Sequence, residues 1–80
     1  MESLTGAIDI ALVRRLLRNG VAREIRERAL LSQAELGKEI GVDHARISLY
    51  ERGLESPRGP IALRYGEVLA QLVALQDVSA

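Results

Sequence analysis

The sequence predicts an all-α fold, a five-helix bundle with an N-terminal helical extension, held in one domain. Three observations predict it. Helix stop signals recur at helix-length intervals: Asn19-Gly20, Gly41, and the stretch 53–59 with Pro57 and glycines at both ends. Between these stops the apolar residues repeat every three or four positions, not every second one. The chain has only two aromatic residues, Tyr50 and Tyr65, so its core must be built from Leu, Ile, Val and Ala, which suits close-packed helices.

Taken in order, Thr5 caps a first helix over residues 5–19, whose apolar positions are Ile8, Ala11, Leu12, Val13, Leu16 and Leu17, and Asn19-Gly20 ends it. A second helix covers residues 21–31, either separate from the first or joined to it through a kink. Ser32, with Glu35 three residues on, has the spacing of a capping box and opens a third helix over 33–40. Gly41 then supplies the left-handed residue that closes it, and Asp43 caps a fourth helix over 44–52. Leu36 and Ile40, then Ile47 and Tyr50, give each of these two helices one apolar stripe. Pro60 suits the first turn of a fifth helix over 60–76. Its stripe of Ile61, Tyr65, Val68, Leu72 and Leu75 is widened by Ala62, Leu69 and Val73 beyond what one core needs.

Composition excludes several classes. At 48% hydrophobic and 28% charged residues the 80-residue chain folds around a modest core. It has no cysteine, which rules out a disulfide framework and a thiolate zinc finger and fits a cytoplasmic protein. Asp9 interrupts the N-terminal apolar segment, Arg14, Arg15 and Arg18 follow it, and no run approaches the ~20 apolar residues that span a bilayer. With a single histidine and no Gly-rich phosphate loop, no nucleophile, base and orienter can be assembled, so neither an enzyme nor a cofactor, metal or small-molecule substrate is expected.

The segment 32–53, two short capped helices about a glycine turn, reads as a helix-turn-helix, a motif that lays its second helix in the major groove of DNA. Arg26, Ser32-Gln33, Leu36, Gly41-Val42, Ile47-Ser48, Glu51-x-Gly53 and Pro57 stand at offsets that resemble the phage repressor and Cro type of this motif, the XRE family, over residues 21–60. The resemblance implies a lambda-repressor-like bundle and a sequence-specific regulator of transcription, a repressor of the phage or bacterial lysogeny type on a double-stranded DNA operator. It further implies that Arg26 pairs with Glu51 to lock the second helix.

Helical spacing places His44, Ala45, Ser48 and Leu49 on the face away from Ile47 and Tyr50, with Arg46 on its flank. The resemblance carries base contacts onto His44, Ala45 and Leu49. This chain lacks the glutamines frequent there, so Ala45 and Leu49 offer apolar contact to thymine methyls, His44 a hydrogen bond, and Arg46 a guanine or phosphate contact. Gln33, in the first turn of the third helix, and Arg52 and Arg58, after the fourth, are the expected phosphate contacts. The plainer alternatives are a solvated cap neighbour for His44, a stray surface leucine for Leu49 and, for Arg46, an ion pair with an acidic neighbour on its own helix.

The formal net charge of zero is the main observation against a nucleic-acid partner, and it predicts modest affinity per protomer. Excess apolar surface on the first and last helices predicts a homodimer, with Leu17 and Leu72 as interface positions. The competing class is an antitoxin or antirepressor that keeps the fold and acts through protein contacts.

Overall fold

The computed structural model describes the backbone of residues 2–79 and the side chains of residues 9–76. Five helices follow one another: α1 (Glu2–Arg18), α2 (Val21–Arg28), α3 (Gln33–Ile40), α4 (His44–Glu51) and α5 (Gly59–Ser79). The outer helices are longer than the sequence signals suggest. α1 begins at Glu2, so Thr5 lies inside it instead of capping it, and α5 continues past Gln76 because no Gly or Pro follows to stop it.

The turns share one closing device. At the end of α3 the Gly41 and Val42 amides both donate to Gly37 O, at 2.7 and 2.9 Å, with Gly41 at φ 98°. At the end of α4 Gly53 takes φ 73° while its amide bonds Tyr50 O and that of Leu54 bonds Leu49 O. Gly20 turns α1 into α2 at φ 84°. Left-handed residues at these positions satisfy carbonyls that the helix leaves open.

α2 closes the same way without a glycine. Leu31 N bonds Arg26 O and Leu30 N bonds Glu27 O, with Leu30 itself at φ 60°. The helix therefore stops at Arg28 and does not reach residue 31.

α5 is the spine of the core. It packs on α1, α2 and α3, while α3 packs on α4. Ala62, Tyr65, Val68, Leu69 and Leu72 of α5 meet Val13 and Leu17 of α1, Ala22 of α2, Leu36 and Ile40 of α3, and Ile47 and Tyr50 of α4. Gly66 lets α1 approach, since a Cβ there would stand 3.0 Å from Val13 Cγ2. Tyr50 and Tyr65 meet edge to face, centroids 6.2 Å apart. Leu17 and Leu72 thus belong to the protomer core, which corrects their assignment to a dimer interface; among the described residues the large exposed apolar side chains of these helices are Leu12, Leu63, Val73 and Leu75. Helical wheels place a residue on a face, but which face the neighbouring helix covers is set by tertiary packing.

Leu30 is 89% exposed, so it loses no packing when shortened. A left-handed non-glycine residue costs about 1–2 kcal/mol, against about 0.5–1 kcal/mol of added chain entropy for glycine. Leu30→Gly is therefore expected to raise the melting temperature by roughly 2–8 °C in thermal unfolding followed by circular dichroism. A variant that melts below the wild type contradicts the strain at this turn.

Candidate nucleic-acid interface

Local sequence sets both helices of the motif. The Ser32 hydroxyl accepts from the Glu35 amide at 3.0 Å while the Glu35 carboxylate accepts from the Ser32 amide at 2.8 Å, completing a capping box at the start of α3. The bond from the Ser32 amide, with the Ser32 hydroxyl second, favours the charged form, so the Glu35 carboxyl is held below its ordinary range. Asp43 Oδ1 accepts from the Arg46 amide at 2.8 Å and starts α4. Gly37 permits the tight turn between them, because a Cβ there would collide with Val42 O.

α4 turns Ile47 and Tyr50 inward, exposes His44, Ala45 and Arg46, and leaves Ser48 and Leu49 half-buried. His44 also rims a shallow depression between α3 and α4, with Ala34, Lys38 and Val42.

The last residue of α4 anchors its orientation. Glu51 Oε2 accepts from Arg26 Nε at 2.7 Å, and Glu51 Oε1 accepts from Arg26 Nη2 at 3.0 Å. Arg26 Nη1 also donates to Leu31 O at 2.9 Å. The side chains are 10% and 2% exposed, so this is a desolvated, bidentate pair. Its hydrogen bonds to Glu51 raise the Arg26 guanidinium above its ordinary value, so it stays charged.

Two further contacts were not legible in the sequence. Gln33 Nε2 donates to Glu51 Oε1 at 3.0 Å, which fastens the side-chain amide at the start of α3 to the brace. Arg46 is ion-paired with Glu55, in the loop after α4, and this bond raises its guanidinium further. To contact DNA through its Nη1, Arg46 must exchange that partner, and an exposed pair of this kind contributes little to stability. Arg52 and Arg58 are exposed on either side of the loop, and Arg58 O accepts from the Ala62 amide at 2.7 Å to start α5. The structure thus brings Gln33 to the brace, sets His44 and Ala45 on the open face, and ties Arg46 outside it.

Replacing Glu51 by Ala leaves a buried guanidinium uncompensated, at a cost of about 3–5 kcal/mol. The expected outcome is a large drop in melting temperature together with weaker DNA binding, measured on the same preparation. Replacing Arg26 and Glu51 together by apolar residues should restore much of the melting temperature. An unchanged melt for Glu51→Ala contradicts the brace.

Neither a curated protein nor a solved structure matches the chain. A family model described as helix-turn-helix matches residues 23–70, from the first turn of α2 to the middle of α5. That span holds the brace, the capped helices and the buried face of α4, and the chain belongs to the XRE-type helix-turn-helix family of DNA-binding transcription regulators.

Proposed function

We propose that this regulator is a repressor of the phage or bacterial lysogeny type that binds a short two-fold operator as a homodimer in the cytoplasm. The carrying observation is the open face of α4, His44 and Ala45 with half-buried Ser48 and Leu49, held in place by the Arg26–Glu51 brace. On this reading His44, Ala45, Ser48 and Leu49 meet base edges, and Arg46 turns from Glu55 to a guanine or a phosphate. Gln33, through the second Nε2 hydrogen that Glu51 leaves available, and Arg52 and Arg58 contact phosphates and fix the register of α4 in the groove. Among the described residues no helix is long and apolar enough to cross a membrane.

The homodimer reading is supported by a groove of about 650 Å³ between α1 and α5, bordered by Leu12, Leu16, Leu63 and Val73. Two half-sites about one helical turn apart require two copies of α4 at that spacing. The same groove and the net charge of zero favour a second reading, an antitoxin or antirepressor that works through protein contacts. Mobility shifts separate the two, because specific DNA binding survives competitor DNA and weakens steeply with salt.

Binding-site selection from a random library should yield one enriched site for the wild type. Gln33→Ala and Arg52→Ala are expected to weaken binding evenly across sequences, and only Arg52→Ala should lower the salt slope, by about 1.8, the value for two neutralised phosphates, one per protomer. A changed base preference in either variant contradicts the phosphate assignment.

Leu12→Glu combined with Val73→Glu places charges on the groove between α1 and α5 and leaves the buried core untouched. The expected result is a helical monomer by light scattering that no longer binds the operator cooperatively. A wild type that scatters as a monomer while bound to one non-palindromic site rules out the dimer.

A further inference from the structure

α1 carries Ala11, Arg14, Arg15 and Arg18 at i, i+3, i+4 and i+7, so one helical face is basic. The other faces are occupied: Val13 and Leu17 enter the core, and Leu12 and Leu16 border the apolar groove with α5. The basic face lies against the loop that follows α4. Arg14 Nε and Nη2 both donate to Pro57 O, at 3.2 and 3.0 Å, which pins α1 to that loop one residue before Arg58. Ala11, Arg14, Arg15, Arg18, Asn19 and Ser56 line a shallow groove there, and no carboxylate is among them.

Among the described residues, Asp9 of α1 lines the groove with α5 and not this face, and five glutamates are engaged elsewhere. Glu24, Glu27, Glu51, Glu55 and Glu67 pair with Arg28, Arg23, Arg26, Arg46 and Arg64 respectively. Among the described residues Arg14, Arg15 and Arg18 have no ion pair. Such a stripe is the electrostatic footprint of a phosphate backbone. Arg15 and Arg18 stand about 4.5 Å apart along the helix axis, one turn of the same face, so both can reach one stretch of backbone.

We propose that Arg15 and Arg18, positioned by the Arg14–Pro57 contact, bind phosphates of duplex DNA flanking the site that α4 reads. The proposal rests on the reading of α4 as the base-contacting helix. Duplex DNA is the occupant because the stripe runs continuously into the loop whose Arg58 is assigned to the backbone. α1 thereby lengthens the footprint without reading sequence.

The test is the double variant Arg15→Gln/Arg18→Gln in the full chain, with Arg14 left to hold the loop. Fluorescence anisotropy is read across a salt series on two duplexes: the selected site alone, and that site extended by about 10 bp, one helical turn, on each side. On the long duplex the variant is expected to show a salt slope smaller by about 0.9 per phosphate, up to about 3.6 for the two protomers together, with base preference unchanged. On the short duplex it should match the wild type, and Arg15→Lys/Arg18→Lys should keep the slope. Equal slopes for wild type and variant on the long duplex overturn this proposal alone. A wild type that binds neither duplex above competitor overturns both the proposal and the reading of α4. A variant that keeps its DNA slope but no longer binds anionic phospholipid vesicles, or an acidic protein partner, overturns it in favour of that surface.

Discussion

The orientation of α4 depends on one buried carboxylate. Glu51 accepts from two nitrogens of Arg26 and from Gln33, and Arg26 also holds Leu31 O, so α2, α3, the turn between them and the end of α4 converge on it. Burying these charges is expensive, and apolar side chains of similar volume would stabilise the bundle at least as well. What apolar contacts lack is direction. Bidentate hydrogen bonds fix the angle of the last turn of α4 against α2, and that angle decides where His44 and Ala45 point.

α4 has only eight residues, too few to persist as a helix alone in water. Its existence comes from three local devices acting with the brace: the Asp43 cap, the left-handed Gly53 beyond its end, and Ile47 and Tyr50 seated in the core. Tyr65 of α5 lies fully buried, its ring edge to face with Tyr50. Burial, and then the nearby Glu51 charge, push its hydroxyl well above the ordinary tyrosine range, with Arg26 opposing. A neutral phenol is therefore what the core presents near the charged brace.

Elements whose ends are written in side chains could be read from the sequence: Ser32 with Glu35, Asp43, and the glycines at 20, 41 and 53 each fix a boundary locally. The end of α2 could not, because Leu30 takes a left-handed conformation with no residue preference to announce it. Helical spacing alone separated His44 and Ala45 from Ile47 and Tyr50 in α4. It could not show that Gln33 is held by Glu51, Arg46 by Glu55, or α1 by Pro57 O. Those contacts join residues that helix packing brings together, and one sequence without a structure does not specify it. The same limit misplaced Leu17 and Leu72, which periodicity sets on an apolar stripe and packing buries.

The zero net charge counted against a nucleic-acid partner only while the charges were summed. In the fold, Glu24, Glu27 and Glu67 lie in ion pairs on helix surfaces, Glu51 is inside the brace, and Glu35 and Asp43 cap helices. Arg52 and Arg58 flank the loop after α4, and Arg15 and Arg18 continue from it along α1, all without an ion pair among the described residues. At physiological ionic strength exposed charges act over a Debye length of about 8 Å. Glu55 of the same loop is taken up by Arg46, so on the proposed reading a phosphate at that edge responds to the unpaired guanidiniums nearby. On that reading, neutrality of the whole chain weakens long-range steering and leaves the short-range contact cationic.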